Sequence, residues 1–165
     1  MPYLFKRMLL ISFICITMIS CKKEEELINK TTFGDVEIKY EAIELEVMNR
    51  VNSYRNQLGL ATLSRLDVVS KEAETHSIYM VKQGEVNHDD FNIRVQNLKE
   101  KAAAISVGEN VAFGYKTAES LLTAWLNSPS HTGNIEDERF TDFGISVKKN
   151  EVGDYYVTQI FIERN

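Results

Sequence analysis

Hydrophobic and polar positions divide the chain into three stretches. Lys6 and Arg7 precede an apolar run from Met8 to Ile19 that ends at Ser20-Cys21, the charged, apolar, then small order of an export signal. The run falls short of the ~20 apolar residues needed to cross a ~30 Å hydrocarbon core, so residues 1–20 read as a leader rather than a spanning or domain helix. Large apolar residues are scarce from Thr31 to Lys39, and residues 21–39 together read as a tether. From Tyr40 regular periodicity begins, and residues 40–165 are expected to form one domain.

Helical spacing comes first in that domain. Ile43, Val47, Val51 and Tyr54 recur every three or four residues until Leu58-Gly59 stops the pattern, and the charges Glu41, Glu44, Glu46, Arg50 and Arg55 are read as its solvated face. A second helix is predicted over 67–83, with Asp67 as cap, Gly84 as terminator and Val69, Ala73, His76 and Met80 on one stripe. His76 is therefore expected to be packed rather than catalytic. A short third helix is predicted from Asn92 to Lys101 through Ile93, Val95 and Leu98. Ser106 to Gly114 reads as strand and turn. Thr117 caps a helix to Asn127, with Leu121, Leu122 and Trp125 inward and Pro129 preventing continuation.

The last third switches to alternation. Phe143, Ile145 and Val147 line one side of a strand, and Tyr156, Thr158, Ile160 and Ile162 alternate along a partner. The polar stretch from Lys149 to Asp154, with Gly153, makes the pair an antiparallel hairpin. Helices first and strands last predict an α+β domain rather than a parallel βαβ array.

Composition narrows the chemistry. Cys15 lies within the leader and Cys21 at its end, so the globular part holds no thiol; cysteine nucleophiles, thiol redox and cysteine zinc sites are excluded there. About 125 residues suffice for one core without disulfides. The net charge of −5 becomes −7 without Lys6 and Arg7, which disfavours nucleic acid as a partner.

Two resemblances add to this reading. Met18-Ile19-Ser20-Cys21 resembles the bacterial lipobox, which implies lipidation at Cys21 and anchoring in the cell envelope at the outer membrane; plain secretion is the alternative. The run Lys22-Lys23-Glu24-Glu25-Glu26 resembles the acidic signal for surface display in some Bacteroidota lipoproteins, and reads equally as a solvated tether.

Four segments, in order, resemble the bacterial branch of the CAP superfamily (cysteine-rich secretory proteins, antigen 5, pathogenesis-related 1; SCP-like). They are Ala73 to Met80 leading to Asn87-His88; Gly108-Glu109-Asn110 to Gly114; Ala124-Trp125 through Ser128-Pro129-Ser130-His131 to Asn134-Ile135; and Phe140 to Val147 with Tyr156 to Phe161. The resemblance implies an α-β-α sandwich with a central antiparallel sheet and a cleft carrying two histidines and two glutamates. His88, Glu109 and His131 match three of those positions; Ser128 stands where the second glutamate is expected.

Two neutral imidazoles and a carboxylate suit Zn²⁺ or another divalent metal. The same trio equally suits a hydrogen-bonded knot in which Glu109 joins both histidines. Asn110 and Gln159 are expected to tie backbone groups beside the cleft. Trp125 is expected in the core. Ser128 beside His131 lacks the G-x-S-x-G elbow of a serine hydrolase.

The leading expectation is a non-enzymatic binding or interaction module for an apolar ligand, a protein or a metal. The alternative is a metal-dependent hydrolase of peptide or cell-envelope material, in which Glu109 serves as ligand or general base. A third reading gives the trio a purely structural role.

Overall fold

The structure is a computed structural model that describes residues 37–165. The expected leader, the expected lipidation site Cys21, the acidic run and most of the expected tether lie outside the described residues.

Among the described residues nine elements follow in chain order: α1 (Ala42–Gln57), β1 (Ser64–Arg65), α2 (Asp67–Gln83), α3 (Phe91–Ala102), β2 (Ser106–Phe113), α4 (Ala118–Leu126), α5 (Pro129–Glu136), β3 (Asp142–Lys149) and β4 (Tyr155–Glu163). The strands form one sheet in the order β1-β3-β4-β2. β4 runs antiparallel to both β2 and β3, and the two-residue β1 adds a parallel edge beside Asp142 and Phe143.

Helices cover both faces. Phe143, Ile145, Val147, Val157 and Phe161 pack with Val47 and Val51 of α1, Leu121 and Trp125 of α4 and Ile135 of α5. On the opposite face Ile160 and Ile162 meet Val69 and Ala73 of α2 and Leu98 and Ala102 of α3. The α-β-α sandwich follows from this division. Because both faces are covered, nearly every position of β3 and β4 is buried, and the alternation in sequence sorts residues between two apolar layers rather than between core and water.

α2 runs over the predicted span. Leu66 takes the N-cap position, with Asp67 the first helical residue, and Gly84 closes the helix at φ 70°, its N–H bonding the Met80 carbonyl. The Thr117 side chain accepts from the Ser120 N–H and starts α4. Pro129, read from sequence as a stop, is instead the first residue of α5, where its fixed φ and missing N–H suit a helix start.

Two faces differ from expectation. On α1, Glu44 and Arg55 are buried rather than solvated: the Glu44 carboxylate accepts from the Val147 N–H, and Arg55 donates to the carbonyls of Ala61, Ile135 and Asp137. On α3 the inward stripe is Arg94, Leu98 and Ala102, while Ile93 is exposed.

β3 extends beyond the short β1, and side chains serve its outer edge. The Ile145 N–H donates to Ser70 Oγ and the Val147 N–H to Glu44, so backbone donors that a longer strand would have paired are satisfied by helices on either side. At Gly144 the α2 backbone presses directly on the sheet: an added Cβ would lie 2.3 Å from the Ser70 nitrogen.

Candidate functional site

The site lies along β2, the free edge of the sheet opposite β1. Adjacent strand residues point to opposite faces. Glu109, in register with Ile160, therefore faces α2 and α3, whereas Asn110, in register with Gln159, faces the layer of α4 and α5. The site thus draws on both layers around one strand.

Glu109 is the buried centre, its side chain 1% exposed. Arg94 grips it with two hydrogen bonds, Nε to Oε2 at 2.6 Å and Nη2 to Oε1 at 2.7 Å. His88 Nδ1 lies 2.7 Å from Oε1. Three of the roughly four lone-pair directions of the carboxylate are thereby used. Burial alone would raise the Glu109 carboxyl, but hydrogen bonds from His88 and Arg94, with the Arg94 charge, outweigh it and hold the group below the ordinary carboxylate range. An ionised carboxylate can only accept, so His88 Nδ1 is the donor in this bond, and the ring is half-exposed.

The loop bearing His88 is fixed from several sides. Arg94 Nη1 donates to the Asp89 carbonyl at 2.7 Å, and the Phe91 N–H donates to the His88 carbonyl. Asp90 adopts the left-handed conformation at φ 57°, a local strain that the surrounding bonds hold in place. From the last turns of α2, Tyr79 donates to Asp89 at 2.8 Å, and His76 Nε2 bonds the Asn87 carbonyl at 2.9 Å. His76 is 2% exposed. Burial, opposed in part by that bond, pushes its pKa down.

His131 comes from α5, which is tied to β2 by amides. Asn110 Nδ2 donates to the His131 carbonyl at 3.1 Å, while Asn134 Nδ2 donates to Asn110 Oδ1 and to the Glu109 carbonyl. The His131 ring is half-buried, and burial followed by the charge of His88 lowers its pKa. His131 makes no hydrogen bond with Glu109 among the described residues, so of the two cleft histidines the carboxylate joins only His88.

Ser128 occupies the N-cap position of α5 without capping it, 3.3 Å from Ser130 Oγ; among the described residues it makes no bond to the His131 side chain. Gln159 is fully buried, and among the described residues neither of its amide atoms has a partner, so unlike Asn110 it does not tie backbone groups beside the cleft as expected. Trp125 is buried, with its indole N–H on the Val111 carbonyl at 3.3 Å. Among the described residues no three His, Cys, Asp or Glu side chains are grouped to hold a metal ion.

Arg94 lies outside the motifs that mark the site in sequence, although a usable sign is present. It stands four residues before Leu98 and eight before Ala102, so it shares their stripe, and an arginine on an apolar stripe calls for a buried acid.

Residues 48–161 match the family described as cysteine-rich secretory protein family, CAP. The chain belongs to the CAP family. The Bacillus subtilis protein YkwD is 32% identical over 123 residues, a match spanning 73% of this chain and 47% of YkwD. Among solved structures, an outer surface protein from Borrelia burgdorferi superposes with a TM-score of 0.69 at 21% identity, covering 78% of this chain and 97% of that one. An extracellular SCP-domain protein from Bacillus anthracis superposes with a TM-score of 0.65 at 25% identity, covering 73% of this chain and 40% of that chain. This CAP chain thus spans about half the length of YkwD and less than half of the Bacillus anthracis chain.

Proposed function

We propose that this CAP domain is a non-enzymatic binding module held at the cell envelope by a lipid on Cys21, with its ligand-facing groups at His88 and His131. The observation that carries this reading is the Arg94 clamp on Glu109. A general base works best with a pKa near the operating pH; a carboxyl held below its ordinary range is a weak base and also has little lone-pair capacity left for a metal. Both roles that the hydrolase reading asks of Glu109 are disfavoured by its partners.

Glu109 does not fit as a direct metal ligand while Arg94 holds it. In this reading the imidazoles of His88 and His131 are the donors left for a divalent cation, with Glu109 fixing the ring of His88 from behind. A bound cation would supply an acceptor for an anionic or carbonyl group of a partner. The leader pattern and the likeness to an extracellular protein support display outside the cytoplasm.

The test uses the purified chain and Zn²⁺ as probe. Calorimetry is expected to give weak binding that falls about tenfold or more when either histidine becomes alanine, the loss of one of two donors. No chelator-sensitive hydrolysis of peptide or cell-wall fragments is expected. Turnover abolished by Glu109→Gln would overturn the reading.

A further inference from the structure

Large apolar side chains exposed on α1, α2 and α3, and Ile105 before β2, stand apart from one another, as is ordinary for a protein surface. Three others gather at one end of the sheet. Phe113 is 46% exposed, Tyr115 37% and Val152 78%, where β2 ends and the turn between β3 and β4 projects.

The topology makes these three one rim. Phe113 is in register with Tyr156, their rings 4.7 Å apart. The Gly114 N–H then donates to the Tyr155 carbonyl at 2.9 Å, and Lys116 Nζ lies 4.0 Å from Asp154. Val152 is at the tip of a turn closed by Asn150, whose N–H donates to the Asp154 carbonyl and whose side chain accepts from the Asp154 N–H. The apolar groups are thus held out by a fixed backbone. Charge at this end is largely cancelled: Asp154 faces Lys116, Glu74 faces Lys148, and Lys149 lies over the Tyr155 ring at 4.9 Å. Little electrostatic cost opposes taking the rim out of water.

The path of the chain points to what covers it. The Tyr40 hydroxyl bonds Asp67 and Ser70 at the start of α2. The residues before it, 37–39, lie with Glu74 and Lys148 beside the second half of β3, and Lys148 is two residues from the turn. The chain therefore enters the domain along the β3 edge, toward the end that carries the rim. About 16 residues connect Cys21 to Glu37, at most ~55 Å at full extension, so an anchor at Cys21 holds this end nearest a bilayer.

We infer that Phe113, Tyr115 and Val152 rest in the headgroup layer of a lipid bilayer and set the orientation of the domain on it. The inference rests on the lipid at Cys21 proposed above. Aromatic rings that are apolar on one side and wet on the other suit that layer. Glu109 stands four residues back along β2, ~13 Å from Phe113, so His88 and His131 remain clear of the headgroups and open to a partner.

The test couples the full chain, with Cys15→Ser, through Cys21 to a maleimide-bearing lipid in phosphatidylcholine nanodiscs that carry a spin label at the headgroup. The rim is then read whether or not the cell lipidates Cys21, and mass spectrometry of Cys21 in the cell-made protein reads that anchor separately. Amide signals of residues 113–116 and 150–154 are expected to be lost to broadening, while those of Ile93 and Ile105, exposed elsewhere, persist. Added salt should leave this contrast unchanged, because the contact is apolar. Phe113→Ser combined with Val152→Ser is expected to abolish the contrast with the rest of the spectrum preserved. Even broadening at all four regions would overturn the inference, as would a contrast that salt removes. Rim signals that shift with protein concentration in the absence of lipid would assign the rim to a second copy of the chain and overturn it equally.

Discussion

At the scale of single residues, the Arg94–Glu109 pair carries most of the consequence. Removing one member of a buried ion pair strands the other charge, a loss of about 3–5 kcal/mol. Arg94→Met is therefore expected to lower stability by that amount in urea unfolding at neutral pH, and a change below ~1 kcal/mol would show that the pair is not buried as described. The acid response has two stages. The pKa of His76 is lowered in the fold, so below the unfolded value of ~6.5 the unfolded chain binds more protons and stability falls as pH drops. The Glu109 carboxyl is also depressed, so its contribution is complete above the unfolded value of ~4.3 and is lost as pH falls further through the folded value. Thermal melts across this range should show the first loss shrink in His76→Asn, leaving the share of His131, whose pKa is also lowered, while the second remains. His88, Glu109 and His131 are legible in the sequence because short motifs surround them. Arg94, Glu44 and Arg55 are not, because a charged residue on a helix is ordinarily solvated, and only its alignment with Leu98 or with Met48 and Val51 betrays burial.

At the scale of elements, α2 and the hairpin can be read directly: period near 3.6 and a terminal glycine in one, period two and a polar turn in the other. β1 cannot, since two exposed residues carry no periodicity and their pairing with β3 is a long-range choice. α5 is hidden by the double meaning of Pro129, which ends one helix by starting the next. The contact between α2 and β3 is closest at Gly144, where an added methyl has no room against backbone atoms of Val69 and Ser70. Gly144→Ala is expected to cost about 1–3 kcal/mol or more, as overpacking does, with a lowered urea midpoint. Gly153→Ala on the hairpin turn, where nothing lies within 4 Å of the added atom, is expected to cost less, set only by its φ of 86°.

At the scale of the whole molecule, the layers are linked by polar groups as well as apolar ones. Arg55 reaches from α1 to the carbonyls of Ile135 and Asp137 and so anchors the end of the helix bearing His131. Arg55→Met leaves several carbonyls without donors and is expected to cost about 2–4 kcal/mol. Hydrogen exchange should show α5 losing protection before α2 does. The fold class is legible because helices precede strands. The junction of two helical layers around β2 is not, since it depends on strand order, which periodicity does not encode. That order has a bearing on how the polypeptide matures. β4 sits between β2 and β3, yet it is the last of these elements to be synthesised. Until it arrives, β2 has no strand to pair with and β3 has only the two residues of β1, so most of the sheet forms late, in a single step.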